Sequence, residues 1–284
     1  MEEARPTAWI TGAGGLIGSH LVRLAPRIAQ PFKVVGLTRG MLELTDGAAV
    51  AKRFRRERPR LVLHCAALSR SPDCQREPQR ARRLNVEVTR VLADLAADVP
   101  LVLFSTDLVF DGTKGDYVET DSIHPMSVYA ETKAAAEEIV LRNPRHLVIR
   151  TSLNAGASPS GDRGMDEQLV NAWRAGTRMS LFVDELRCPI PAEATARAAW
   201  ELALGNATGV FHVAGAEKLS RWQIGELLTG LHPEFRPLIS SGSLKDYQGA
   251  PRSPDTSMNC AKAQAGISFP LPRFSDWIVA QRRS

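Results

Sequence analysis

Apolar residues fall in short unbroken runs, each followed by a stretch with apolar positions three and four apart. The runs are Ala8-Trp9-Ile10, Lys33-Val34-Val35-Gly36-Leu37, Leu61 to Ala67, Leu101 to Ser105 and His146 to Ser152. Runs without polar alternation suit strands buried on both faces, as in a parallel sheet. Between them, Leu21, Leu24, Ala25 and Ile28 stand at helical spacing. Further helices are predicted after Thr45-Asp46, either of which suits an N-cap, from about Pro78 to Ala97, and from Glu131 onward. Strand and helix in alternation predict an α/β fold, a Rossmann-type doubly wound parallel sheet.

The pattern changes after Ser152. Asn154 to Gly164 is rich in Gly, Ser and Pro and reads as a mobile loop. A helix near Glu167–Arg174, a strand near Met179–Phe182, a helix from about Glu193 to Leu204 and a strand at Val210 to Gly215 are expected next. The rest mixes short helices with Pro-containing loops. We expect residues 1–152, with returning segments near 183–215, to form the main core, and residues 153–182 and 216–284 a smaller, mixed lobe.

Composition narrows the class. The chain has 284 residues, 44% hydrophobic and 24% charged, as ordinary globular proteins do. It shows no apolar run approaching the roughly 20 residues of a membrane span, and Met1 to Pro6 carries no apolar signal core. We expect a cytoplasmic protein with no membrane partner. Cys65, Cys74, Cys188 and Cys260 form no C-x-x-C pair, so reduced thiols are expected. The net charge of +5 is concentrated at Lys52 to Arg60 and at Arg76, Arg80, Arg82, Arg83 and Arg90. We read both as solvated helix faces, with Val50, Phe54, Leu84, Val88 and Val91 turned inward, and expect no nucleic-acid partner. The six histidines lack metal-ligand spacing.

The candidate chemistry begins at Thr11-Gly12-Ala13-Gly14-Gly15-Leu16-Ile17-Gly18, between the first strand and the first helix. Such a turn lets the backbone approach a pyrophosphate, and the helix N-terminus offers free N–H groups to it. Its first glycine interval is one residue wider than the usual fingerprint. Arg39 stands at the end of the second strand, where an acidic residue would grip a ribose 2′-OH. An arginine there suits a 2′-phosphate, so NADPH is favoured over NADH. Ala66 and Ala67 are small where a nucleotide would pass, and Asn85 is placed to bridge neighbouring strands or loops. Tyr129 and Lys133 share a helix face. A lysine ammonium there is expected to lower the tyrosine pKa, letting Tyr129 act as proton donor. Thr106, or Ser105, at a strand end would hydrogen-bond a substrate carbonyl.

With these residues in place, the chain resembles an extended short-chain dehydrogenase/reductase, and within that group the dTDP-4-dehydrorhamnose reductase family. The likeness rests on Thr11 to Gly18, Ser105 to Gly112 (S-T-D-L-V-F-D-G), Tyr129 to Lys133 (Y-A-E-T-K) and Arg150 to Leu153 (R-T-S-L). It extends through Cys188 to Pro191, Gly209 to Gly215 and Pro251 to Met258. The resemblance implies an NAD(P)H-dependent reductase of a nucleotide-linked 4-keto sugar. It implies Thr106, Tyr129 and Lys133 as the catalytic set. It implies a cofactor site of Gly12, Gly15, Leu16, Ile17, Gly18, Arg39, Glu43, Leu44, Ala66, Ala67, Asn85, Ser105, Tyr129 and Lys133. Thr106, Asp107 and Arg252 are implied for the sugar nucleotide, with Arg252 pairing with its diphosphate. A homodimer is left open.

Three departures matter. Leu108 replaces the family's tyrosine after Thr-Asp, which leaves the sugar open. Some members bridge dimers through Mg²⁺ with an early glutamate; His20 stands there, so no metal is expected. Asp107-Leu108 lacks the glutamate that dehydratases use, which argues against elimination chemistry. The regulatory β subunit of methionine adenosyltransferase keeps this fold without catalysis, so a non-catalytic NADP-binding role is one alternative. A sugar-nucleotide epimerase with retained NAD⁺ is another.

Overall fold

A computed structural model describes residues 5–249 and 251–282. The N-terminal residues 1–4, read above for a signal core, and the C-terminal 283–284 lie outside the described residues. In chain order the first half runs β1 (Thr7–Thr11), α1 (Leu16–Ile28), β2 (Lys33–Leu37), α2 (Gly47–Glu57), β3 (Leu61–His64), α3 (Ser71–Arg76), α4 (Pro78–Arg82), a π-helical turn (Arg83–Glu87), α5 (Val88–Leu95), β4 (Leu101–Thr106), α6 (Val128–Leu141) and β5 (Leu147–Thr151). The second half runs β6 (Asn154–Ala155), α7 (Met165–Arg174), β7 (Met179–Phe182), β8 (Leu186–Arg187), β9 (Ile190–Pro191), α8 (Ala192–Leu204), β10 (Gly209–Val213), β11 (Leu219–Ser220), α9 (Arg221–Leu231), β12 (Ile239–Gly242), α10 (Ala261–Gly266) and α11 (Phe274–Gln281).

The main sheet has six strands in the order β10-β5-β4-β3-β1-β2, all parallel. The chain leaves β1 for β2 on one side and returns to β3 on the other. The crevice between β1 and β3 is therefore the topological switch point, where open α/β sheets place their ligands. Alternate residues of each strand point to opposite faces. Ala8 and Ile10 join Leu21, Leu24 and Trp200 under α1 and α8. Trp9, Leu101 and Leu103 join Phe54, Leu92 and Val140 under α2, α5 and α6. The Trp200 indole N–H donates to the Leu21 carbonyl at 3.0 Å, tying α8 to α1. A third hydrophobic cluster, with Trp173, Ile224 and Phe274, joins α7, α9 and α11. There β12 pairs with β7 and β11 with β8 in two-stranded sheets.

Val50, Phe54 and Val88 are buried, as expected for the inner faces of the two basic helices, whereas Leu84 and Val91 are only partly covered. Asp46 is the N-cap of α2; its carboxylate accepts from the Ala49 N–H at 3.0 Å. Three expectations are corrected. The helix from Pro78 is not uniform, because the π turn inserts a wider loop of hydrogen bonding before α5. The helix of Tyr129 starts at Val128 rather than Glu131, because the Ser127 hydroxyl caps the Ala130 N–H. The loop expected to be mobile is tied to the first turn of α7. Glu167 accepts from the N–H groups of Ser158, Arg163 and Gly164, and Asp166 from that of Gly156.

Two buried histidines couple this fold to acid. His64 bridges the hydroxyls of Thr11 and Thr89 at 2.7 and 3.1 Å, and His212 meets the Tyr117 carbonyl at 3.1 Å. Burial is the largest cause holding His64 down to about 3 and His212 down to about 4. An unfolded chain protonates them near 6.5. The stability they contribute is therefore complete above that value and lost as pH falls through about 4 and about 3. Urea midpoints should drop between pH 7 and pH 4.5; equal midpoints would contradict it.

Candidate active site

A cleft of about 1010 Å³ opens at the carboxyl ends of the strands. That is at the upper end of the roughly 300–1,000 Å³ usual for small-molecule sites, so it has room for more than one ligand. One wall is the glycine turn. Gly12 has φ +71°, and a Cβ there would meet the Ala66 N at 2.7 Å. A Cβ on Gly18 would strike the Gly12 carbonyl oxygen. Both glycines are therefore needed to bring β1, β3 and α1 this close. Gly15 caps α1 without a side chain, and no acidic residue stands in its first turn. The helix start thus keeps free N–H groups and an uncompensated positive end. This is a cradle fitted to a dinucleotide pyrophosphate.

Arg39, Glu43 and Leu44 line the same end of the cleft. The Arg39 Nε donates to Glu43 at 3.0 Å, and its side chain is 80% exposed. Glu43 is held below the usual carboxylate range chiefly by the Thr45 N–H. Arg39 is thus at the rim and free to turn toward a phosphate at small cost, since an exposed pair contributes little.

Asn85 differs from the other expected cofactor residues. It lies one layer behind the cleft, in the π turn, and its amide is spent. Its Oδ1 accepts from the Leu68 N–H at 2.8 Å, and its Nδ2 donates to the Leu68 carbonyl and the Thr132 hydroxyl at 3.1 and 2.9 Å. Thr132 in turn donates to the Tyr129 carbonyl at 2.8 Å. Asn85 therefore fixes the loop after β3 against the helix that carries Tyr129.

Ser105, Thr106, Asp107, Tyr129 and Lys133 all line the middle of the cleft. The Thr106 hydroxyl donates to Asp107 at 3.2 Å and accepts from the Leu108 N–H at 3.2 Å. Asp107 also accepts from the hydroxyls of Ser152 and Thr256 at 2.7 and 2.9 Å. One carboxylate thus gathers the ends of β4 and β5 and the C-terminal loop. The buried Ser105 Oγ has no protein partner among the described residues, as befits a group facing a ligand.

The expected lowering of the Tyr129 pKa is corrected. Burial pushes it up, Asp107 adds to this, and only a hydrogen bond with Thr106 pulls the other way. Lys133 is itself lowered to about 8, by burial above all, against the pull of Glu137 and then Cys65. Spacing showed a shared helix face but not how dry it is. At neutral pH Tyr129 is a protonated phenol, the form a proton donor needs.

Arg252 lines the far end of the cleft, but it is already paired. Its Nε and Nη2 donate to Glu185 at 2.7 and 3.0 Å. Three residues not singled out from the sequence stand beside it: Glu185, Arg187 and Arg221. The capping box at Ser220 and Gln223 was a readable sign that Arg221 opens a helix. Among the described residues no group of His, Cys, Asp and Glu is arranged to hold a metal. His20 meets Arg23 Nη2 and the Ala157 carbonyl instead, at 2.7 and 3.1 Å. No described helix is long and apolar enough to cross a membrane.

Known proteins resemble this chain in sequence and fold. The chain is 29% identical to a probable low-salt glycan biosynthesis reductase, Agl14, of Haloferax volcanii, over 96% of each chain. It is 31% identical to a dTDP-4-dehydrorhamnose reductase of Mycolicibacterium smegmatis, over 94% of this chain and 81% of the relative. A methionine adenosyltransferase 2 subunit beta of Xenopus laevis is 36% identical, over only 48% of this chain and 43% of the relative. Among solved structures, a hypothetical dTDP-4-dehydrorhamnose reductase from Sulfolobus tokodaii superposes with TM-score 0.80 at 28% identity, covering 95% of this chain and 98% of the other. A dTDP-4-dehydrorhamnose reductase from Clostridium acetobutylicum shares the fold with TM-score 0.86 at 20% identity, covering 98% and 100%. The model of the RmlD substrate binding domain matches residues 7–281, and the chain belongs to that family.

Proposed function

We propose that this protein is an NADPH-dependent reductase of a nucleotide-linked 4-keto sugar. The observation that carries the reading is convergence: the Gly12–Gly18 cradle, Thr106, Tyr129 and Lys133 all line one cleft at the sheet's switch point. The reductase names of relatives that match nearly the whole chain support it. We take residues 1–152 with β10 as the cofactor part, and the clusters around α7 and α9 as the sugar-nucleotide part.

Bound NADPH supplies the hydride. The N-terminus of α1 holds the pyrophosphate, and Arg39 turns from Glu43 to a 2′-phosphate. Lys133 holds the ribose hydroxyls. Tyr129 gives its proton to the carbonyl oxygen of the substrate as negative charge develops there. Thr106 sits against Tyr129 and positions that oxygen. Asp107 keeps the Thr106 hydroxyl in place.

The test is one assay. NADPH and NADH are titrated separately, then a panel of nucleotide-linked 4-keto sugars is added and absorbance at the nicotinamide band is followed. Oxidation with one sugar supports the reading. Arg39→Ala should weaken NADPH about tenfold and leave NADH unchanged, as loss of one charged hydrogen bond would. Tight NADPH binding with no turnover across the panel would instead favour a regulatory subunit. In the reductive direction kcat/KM should fall as pH rises through about 8, where Lys133 loses its proton. A flat profile to pH 10 would remove Lys133 from the mechanism.

A further inference from the structure

Three arginines, Arg187, Arg221 and Arg252, face two carboxylates, Asp107 and Glu185, at the far end of the cleft. Two of the three are committed to the protein. Arg252 grips Glu185 with both arms, and its guanidinium lies 5.4 Å from the Phe182 ring centre and 5.7 Å from that of Tyr247. Arg187 donates to the Leu186 and Ser253 carbonyls at 2.7 and 3.0 Å and pairs with Glu185 at 3.1 Å. Its Nε lies 3.8 Å from Asp107.

Arg221 is different. Its backbone N–H donates to the Glu185 carbonyl at 2.9 Å, which fixes where α9 begins. Its guanidinium lines the cleft, yet makes no hydrogen bond or ion pair with any described residue. A guanidinium carries five donors and never loses its charge in practice. Leaving such donors without acceptors away from water is costly unless a ligand completes them. Burial is the main force acting against its charge; the Glu185 and Asp107 carboxylates support that charge, and Arg187 and Arg252 oppose it.

Resting on the sugar-nucleotide reading, we infer that Arg221, and not Arg252, is the arginine that grips the substrate's diphosphate. Arg252, Glu185 and Arg187 form a pre-paired frame that aims it. The planar fork of Arg221 matches two phosphate oxygens, and of the three guanidinium groups it is the one whose donors are not spent on a protein acceptor among the described residues. Arg252 would have to give up two donations to a buried carboxylate to do the same.

Calorimetric titration of dTDP, UDP and thymidine into the NADPH-loaded protein tests this. Wild-type protein should bind one of the two diphosphates. Arg221→Met should weaken that binding roughly ten- to a hundredfold, as loss of charged hydrogen bonds does. Arg221→Lys should keep part of it, and NADPH affinity should be unchanged in both, which also reports that they fold. Thymidine, lacking phosphate, should bind Arg221→Met and wild type alike. Arg252→Met should retain more diphosphate affinity than Arg221→Met. The inference is overturned if Arg221→Met binds the diphosphate as wild type does, or if only Arg252→Met loses it. A wild-type protein that binds neither diphosphate overturns the sugar-nucleotide reading itself, and that outcome is distinct from the other two.

Discussion

Replacing Tyr129 by Phe should lower kcat by roughly two to four powers of ten while leaving NADPH binding nearly intact. The change removes one hydroxyl and little volume. Thr106 keeps its bonds to Asp107 and the Leu108 N–H. The loss therefore falls on the proton transfer. Of the neighbouring acids, Cys74 donates its S–H to the Leu68 carbonyl, and the Lys133 ammonium is supported by Glu137 and Cys65. Steady-state kinetics with NADPH and the 4-keto sugar that the panel shows to be turned over would check it; turnover within tenfold of wild type would sink the proton-donor role.

Arg150→Met should cost about 3–5 kcal/mol of stability, because breaking a buried pair leaves a charge without an answer. Arg150 lies on β5 and Glu137 on α6, with side chains 5% and 2% exposed. Its Nε donates to both Glu137 oxygens at 3.1 Å, and its Nη2 to Oε2 at 2.8 Å. Its guanidinium also lies 5.1 Å from the Phe110 ring centre. The midpoint of thermal unfolding should fall by on the order of 10 °C. Adding Glu137→Leu should recover much of this, since a well-packed apolar pair often equals or exceeds a buried ionic one. A single variant within about 1 kcal/mol of wild type would refute the argument. The pair also bears on catalysis. Glu137 is one turn beyond Lys133, and its charge supports the ammonium of Lys133.

Much of this was readable in the residues. Five apolar runs marked the first five strands of the sheet: β3, β4 and β5 are buried along their whole length and tolerate no polar alternation, while the edge strand β2 is only partly covered. The glycine turn was legible because its spacing has a steric cause, now visible at Ala66 and the Gly12 carbonyl. Tyr129 and Lys133 were legible because helical spacing is local. What stayed hidden depends on long-range assembly. Glu185, Arg187 and Arg221 come together through strands of only two residues, β8 and β11, whose patterns are too short to read. Arg252 was found, but its partner Glu185 lies 67 residues away, so its commitment could not be seen. The pKa of Tyr129 was misread for the same reason: spacing sets which groups share a face, whereas burial depends on everything packed around them.

The π turn at Arg83–Glu87 has a consequence for how this gene can change. A turn of α-helix advances about 100° per residue, and the π turn absorbs one residue beyond that rhythm. The helix before it and the helix after it are therefore out of step by one position. Deleting any single residue between Arg83 and Glu87 would restore regular winding and yet swing Asn85 off Leu68 and Thr132, or else rotate Val88 and Leu92 out of the sheet's cover. Substitution in this stretch is cheap at the exposed Arg83 and Glu87, whereas a one-codon deletion is not. Lineages of this chain should accordingly drift in letters here and hold their length.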